Sequence, residues 1–250
     1  MQNNIYDFFA EDYHNKRRHH WGELEKFIRE LNDVNIYFKG FNLDLGCANG
    51  RNFNLFLNNN SKLVGIDNSK EFLKFTLKRL REQNLGSNLK SKHINLILSD
   101  MRALPLRANT IANVFSVATI HHIGTNIQRK KVLTELYNVV KDKGFLLLTV
   151  WRRYQKKYRY DFIWNKVRRS LFPTYRKAQK KSGLTEYGDK YISWTLSNKN
   201  LTYNRFYHFF SRREIKKLLK NYSTKVMAKR GGPNKKDNFF ILTQKVVEKT

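Results

Sequence analysis

Three carboxylates at the ends of apolar runs, a histidine pair and a basic N-terminal cluster carry the chemistry this chain can offer. Asp44 closes the run Phe41 to Leu45 and leads into the small-residue turn Gly46-Cys47-Ala48-Asn49-Gly50. Asp67 ends Gly65-Ile66-Asp67 just before Asn68, and Asp100 follows the run Ile94 to Leu98 and precedes Met101. Glycine at positions 46 and 50 permits a sharp turn and lets the backbone come close to a ligand. A carboxylate ending the next strand offers acceptors to a pair of ribose hydroxyls. The third, Asp100, can accept from an exocyclic amino group while the Met101 amide meets the ring beside it. Together they are equipment for a nucleoside-containing cofactor. The spacing D-x-G-x-x-x-G, with Ala48 at the middle small position, departs from the G-x-G-x-x-G of a dinucleotide cradle.

The fourth apolar run, Ile111 to Ala118, ends in Thr119-Ile120-His121-His122. Ligands of α/β proteins bind at the carboxyl ends of strands, so a neutral imidazole here can position a substrate oxygen. Arg17 and Arg18 lie in the basic link His14 to His20, on a segment able to cover that end of the sheet. Each residue also has a plainer reading. Asp67 can be a helix N-cap, either histidine a satisfied core residue, and the arginines solvated surface charge. Metal ligation is disfavoured, because no third ligand stands at a recognised spacing and Cys47 is the single cysteine, which also excludes an intrachain disulfide.

The elements that must position these groups follow from periodicity. Strands are expected at Phe41–Leu45, Lys62–Ile66, Ile94–Leu98, Ile111–Ala118 and Phe145–Val150, separated by helical patterns at Phe53–Leu57, Glu71–Gln83 and Gln128–Val140. Short buried strands alternating with helices give a parallel sheet. Residues 1–33 read as a helical segment, expected to lid the site. From Trp151 the rhythm stops: residues 152–200 read as a basic, aromatic insertion whose aromatics, Tyr154 to Tyr175, should not all be exposed. Ser211-Arg212-Arg213-Glu214 is a capping box opening a helix through Leu219. Thr224–Ala228 and Phe239–Gln244 then flank Gly231-Gly232-Pro233-Asn234 as a closing hairpin. The expected fold is α/β and Rossmann-like: one domain over residues 1–250, with a mainly parallel seven-stranded sheet and an antiparallel C-terminal hairpin.

Composition narrows the function. The chain carries 49 Lys+Arg against 20 Asp+Glu, a net charge of +29. Residues 1–150 hold a net +8 and residues 151–250 a net +21, with twelve basic residues and one acid between 152 and 182. Such a field attracts polyanions; lysine-rich compositional drift is the bland alternative. No apolar run approaches the roughly 18 residues of a membrane span. No secretory signal is visible at Met1-Gln2-Asn3-Asn4, so cytoplasm or nucleus is the expected location.

The D-x-G-x-x-x-G turn is closer to the S-adenosylmethionine loop of class I methyltransferases than to a pyrophosphate cradle. Beyond it, the chain resembles the eukaryotic tRNA wobble-uridine methyltransferases that esterify 5-carboxymethyluridine at position 34. The resemblance runs through Lys16-Arg17 with Trp21, Asp44–Gly50, Gly65-Ile66-Asp67-Asn68-Ser69 and Asp100-Met101-Arg102-Ala103-Leu104-Pro105. It continues through Ser116-Val117-Ala118-Thr119-Ile120-His121-His122, Val150-Trp151, Arg205-Phe206-Tyr207-His208-Phe209-Phe210 and Asp237-Asn238-Phe239-Phe240-Ile241. The last two motifs are the narrow ones. Ala48, Lys16 and Phe239 depart from the family's usual glycine, threonine and tryptophan.

The resemblance implies S-adenosylmethionine held by Asp44, Gly46, Cys47, Ala48, Gly50, Asp67, Asn68, Asp100, Met101 and Ala118. It implies activity tied to Arg17, Asp67 and His121 or His122, with His121 slightly favoured. It also implies a tRNA anticodon stem-loop as substrate and a heterodimer with a small zinc-binding activator protein that pairs along a sheet edge. Two rivals stand beside this reading. A methyltransferase acting on a small molecule would need neither the C-terminal charge nor the tail motifs, and one acting on another RNA or protein substrate stands between the two readings. A non-catalytic RNA-binding module would not keep Asp44, Asp67 and Asp100.

Overall fold

The computed structural model describes residues 4–57, 61–82, 93–197 and 201–246. Gln83 at the end of the expected helix Glu71–Gln83, residues 1–3 of the N-terminal segment, residues 198–200 of the insertion and residues 247–250 lie outside the described residues. In chain order the strands are β1 (Phe41–Leu45), β2 (Lys62–Asp67), β3 (Ile94–Leu98), β4 (Ile111–Val117), β5 (Val140–Trp151), β6 (Asp189–Thr195), β7 (Thr202–His208), β8 (Tyr222–Arg230) and β9 (Asn238–Lys245). Seven of them form one sheet in the order β3-β2-β1-β4-β5-β9-β8. The first five run parallel, and β9 lies antiparallel between β5 and β8. The fold class read from the sequence is therefore the one observed.

The helices are α1 (Ala10–Lys16), α2 (Gly22–Asp33), α3 (Phe53–Phe56), α4 (Lys70–Glu82), α5 (Asn126–Val139), α6 (Arg159–Leu171), α7 (Pro173–Lys181) and α8 (Arg212–Leu218). Successive strand residues point to opposite faces, so the central strands feed two cores. Leu43, Leu45, Val114, Leu146 and Ile241 pack with Val132, Leu136 and Ile215 on one side. Phe115, Val117, Leu147 and Phe240 pack with Phe27, Phe53 and Phe56 on the other. In α2 the buried residues Leu24, Phe27, Ile28 and Leu31 are the expected one-face stripe. Each such side chain, fully buried, stabilises the fold by about 1.5–3 kcal/mol.

The structure refines the sequence reading in four places. The N-terminal segment is a 3-10 turn, Ile5–Phe9, followed by two helices parted within the expected basic link, at Arg17. Strand β5 starts at Val140, directly after α5, because exposed Lys141, Asp142 and Lys143 interrupt its apolar run. The insertion contains a further antiparallel pair, β6 with β7, whose polar and aromatic residues give no apolar alternation. Its aromatics divide: Tyr158 and Phe162 are buried against Tyr207 and Phe209, while Tyr160, Trp164 and Phe172 are exposed, since α6 rests on β7 by one face only.

Behind β7 lies a buried polar network. The two ring nitrogens of His208 meet Asp189 and Glu214 at 2.6 Å each, so both act as donors. Glu214 also accepts from Arg153 at 2.5 Å and completes the capping box with Ser211. Glu186 pairs with the fully buried Arg129. Glu186, Asp189 and His208 are residue types that a cation could use, but here Glu186 pairs with Arg129 and Asp189 with His208. The network ties β7 to β6, α5 and α8. His208→Ala leaves two carboxylates without their shared donor and should cost about 3–5 kcal/mol in urea unfolding. Cofactor affinity per folded molecule should stay the same.

Candidate active site

The carboxyl ends of β1, β2 and β4 open onto one cavity, lined there by Gly46, Ala48, Asp67, Asn68, Ala118 and Thr119. The turn after β1 is built on positive φ angles: +71° at Gly46, +48° at Ala48 and +67° at Gly50. A Cβ at position 46 would sit 2.2 Å from Thr119 Cγ2, so only glycine fits there. Ala48 takes the left-handed conformation that costs an L-residue about 1–2 kcal/mol, and its N–H donates to Asp67 Oδ2 at 2.9 Å. Asp67 Oδ1 accepts from the Ser69 N–H at 2.9 Å. Two backbone donors use only part of a carboxylate's acceptor capacity, so Asp67 retains lone pairs for hydroxyls.

Asp44 lies buried below the turn. Burial pushes its carboxyl up to about 8, with Asp67 adding to the effect and Arg51 opposing it. Burial lifts Asp67 to about 6 against the pull of the Ser69 and Ala48 amides. Cys47 is buried with its Sγ against the β2 backbone at Gly65, and Gly50 is close-packed on Thr76; neither lines the cavity. Met101 lines it beside Ser99. Asp100 does not: its carboxylate is turned onto Arg102, whose Nε donates at 2.9 Å, and that bond holds it below the usual carboxylate range. Ala118, at φ +55°, donates to Thr149 Oγ1 at 2.8 Å, which fixes the exit of β4.

The histidines are ordered opposite to the expectation. After β4 the chain makes a 3-10 turn, Ile120–His122, which ends the strand's alternation. His121 is turned inward, stacked on Tyr207 at 4.9 Å with Nδ1 lacking a hydrogen-bond partner, and burial lowers its basicity strongly. His122 lines the cavity. Its Nδ1 lies 3.0 Å from the Phe206 carbonyl and must donate, leaving Nε2 as an acceptor. Burial pushes the His122 imidazole down to about 3, so it is neutral at physiological pH.

Arg17 is not brought onto the cavity wall. It caps α1 with an exposed side chain, its carbonyl is held by Asn49 and Arg79, and its charge reaches Tyr207. The cation on the wall is Arg205 of β7, only 8% exposed. Its guanidinium carbon lies 4.7 Å from the Trp194 ring centre, 5.1 Å from Tyr207 and 5.6 Å from Phe9. The opposite cover comes from Tyr6, Phe9 and Tyr13 of the N-terminal segment. Sequence reasoning singled out Arg205 as a motif residue but not as a site residue. A charge set in the aromatic run Tyr203 to Phe210 was the available signal.

The chain matches a methyltransferase domain family over residues 43–148. It is 30% identical over 152 residues to the tRNA (carboxymethyluridine(34)-5-O)-methyltransferase of Arabidopsis thaliana, covering 61% of this chain and 33% of that protein. The Schizosaccharomyces pombe protein of the same name is 24% identical over 244 residues, 96% of this chain and 94% of its own length. The chain thus spans about a third of the plant relative and nearly all of the yeast one. A solved S-adenosylmethionine-dependent methyltransferase from Methanosarcina mazei shares the fold with a TM-score of 0.66 at 17% identity, covering 87% of this chain and 98% of that one. The family resemblance read from the motifs is borne out, and S-adenosylmethionine fits the glycine turn and the carboxylate at Asp67.

Asp67→Ala should weaken S-adenosylmethionine binding by about 1.5–3 kcal/mol, roughly 10- to 150-fold in calorimetry. Because folding raises the Asp44 carboxyl above its unfolded value, the stability it contributes is full below about pH 4 and lost as pH rises through about 8. Asp44→Asn should therefore melt higher than the ligand-free wild type at alkaline pH. The gap should close toward acid pH, and cofactor affinity should fall.

Proposed function

We propose that this class I S-adenosylmethionine-dependent methyltransferase esterifies the carboxylate of 5-carboxymethyluridine at the wobble position of tRNA, giving 5-methoxycarbonylmethyluridine. The observation that carries the reading is the lack of a working general base on the cavity wall among the described residues. His122 is pushed down to about 3, and burial raises the Tyr6 phenol. The lone pairs that Asp67 keeps beyond the Ala48 and Ser69 amides are those assigned to the cofactor's ribose hydroxyls. A nucleophile used here must arrive ionised. A carboxymethyl group, with an acid pKa near about 4, does so at neutral pH. The names of the Arabidopsis and yeast relatives point to the same substrate.

When bound, S-adenosylmethionine supplies an electrophilic sulfonium methyl group. Transfer to the carboxylate would exchange the C–S bond for a C–O bond and cancel the two opposite charges with no proton moved, so this chain's residues would need only to bind, orient and exclude water. Such a step is helped by a site that excludes water, because the charge it consumes is poorly solvated there. Tyr6, Phe9, Tyr13 and Phe72 provide the apolar wall. His122 Nε2, an acceptor fixed by the Phe206 carbonyl, suits an N–H or hydroxyl of the base and leaves the carboxylate free.

The remainder of the substrate would lie on the basic insertion. The α6–α7 hairpin presents exposed Tyr160, Trp164 and Phe172 among lysines and arginines. Basic charge with unstacked aromatic faces is how single-stranded RNA is held. The zinc-binding activator would pair along β3, an edge strand among the described residues, with the sequence Ile94-Asn95-Leu96-Ile97-Leu98 and an exposed Leu98.

The test is nucleoside mass spectrometry. tRNA lacking the wobble ester is incubated with S-adenosylmethionine, this chain and a zinc-binding activator. The expected product is 5-methoxycarbonylmethyluridine. Cofactor binding without ester on any tRNA would refute the substrate assignment and turn the search to other acceptors.

A further inference from the structure

Four arginine side chains of the described residues are more than nine-tenths buried, and three of them have oxygen partners. Arg129 pairs with Glu186, Arg153 with Glu214, and Arg79 donates to the carbonyls of Asn49, Arg18 and Arg17. Arg205 is the fourth. Among the described residues its guanidinium makes no ion pair and no hydrogen bond, and its buried Nε has no partner. It is held by rings alone, with Trp194 and Tyr207 nearest. A buried cation without an anion is costly, and this one faces the cofactor cavity.

Resting on the function proposed above, we infer that Arg205 is the receptor for the carboxylate of the acceptor base. A guanidinium matches a carboxylate in plane and in donor spacing. The rings meet its faces and leave donors at its edge, so the cage holds the charge without neutralising it. Tyr6 stands beside it: its phenol is close enough to feel both Arg205 and Asp67, and its hydroxyl makes no hydrogen bond among the described residues. It supplies a neutral second donor. Each carboxylate oxygen has two lone pairs, so bonding to Arg205 leaves one free on the oxygen that attacks. The ester is uncharged and loses the ion pair with Arg205, so the contact that selects the substrate also weakens on the product.

The subsite makes Arg205 a specificity residue, reading acid against amide. Anticodon stem-loops carrying 5-carboxymethyluridine or the isosteric, uncharged 5-carbamoylmethyluridine at position 34 are titrated against the full chain with its activator and S-adenosylhomocysteine. Esterification and cofactor affinity are measured in parallel. Wild type should prefer the acid by at least about tenfold, the scale of one charge-assisted hydrogen bond. Arg205→Gln should lose that preference and most of the methyl transfer, with cofactor affinity within about threefold of wild type. Arg205→Lys should keep part of both.

Preference for the acid surviving in Arg205→Gln would overturn the assignment while leaving the function standing. Loss of cofactor affinity in both variants would make Arg205 a packing residue and overturn it as well. Wild type that forms no ester and shows no preference would remove the substrate assignment itself, and this inference with it.

Discussion

The Asp67 carboxylate joins two turns that would otherwise move independently. One oxygen holds the left-handed Ala48 amide after β1, and the other holds the Ser69 amide at the entry to α4. Everything on the cavity floor is registered to that pair of hydrogen bonds. They fix a strained alanine where most such turns have glycine, and they keep a charge at the sheet tip although burial disfavours it. The chain accepts that cost on the scale of single hydrogen bonds because the remaining lone pairs are what a ribose needs. Asp44 below is under greater desolvation. The ligand-free sheet tip is therefore a stressed region whose energy falls when a hydrogen-bonding partner enters.

Opposite charges are kept apart across the cavity. Asp67 is on the floor and Arg205 is on the wall, with no ion pair between them. Had they met, the cation would be quenched and the floor closed. The aromatic cage of Trp194, Tyr207 and Phe9 prevents this by gripping Arg205 from its faces. The His208 network behind β7 supports the strand that carries both Arg205 and Tyr207. The expected N-terminal cover is supplied by three aromatic residues, not by Arg17, whose side chain stays in solvent.

Much of this was legible in the sequence, for identifiable reasons. Strands β1, β2 and β4 are short apolar runs cut off by polar or small residues, and a strand buried on both faces must read that way; the edge strand β3 shares the apolar run although none of its residues is fully buried. The carboxylates sit at those cut-offs. The capping box at Ser211 and Glu214 is a local pattern, and it forms as read. What escaped depends on long-range geometry. Strands β6 and β7 carry Trp194, Tyr203 and Arg205, which meet the N-terminal turn, and Tyr207, which packs with Tyr158, Phe162 and Phe209, so their burial comes from distant segments and not from any alternation of their own. The order of the two histidines could not be read because a 3-10 turn, set by tertiary packing, replaces the strand period at Ile120. Arg205 looks like one more basic residue among many until its neighbours are known.

The position of β9 in the sheet has a consequence for how the molecule is made. It is the last strand of the described residues, yet it lies inside the sheet, hydrogen-bonded to β5 on one side and β8 on the other. Its side chains enter both cores: Ile241 on one face, Phe240 and Leu242 on the other. Until residues 238–245 have left the ribosome, β5 presents a bare apolar edge. That edge is a template for another chain, and residues 152–237 must be synthesised before β9 can cover it. Nascent molecules are thus open to self-association over that stretch of synthesis, and chaperone occupancy during translation becomes part of how this sheet reaches its final order.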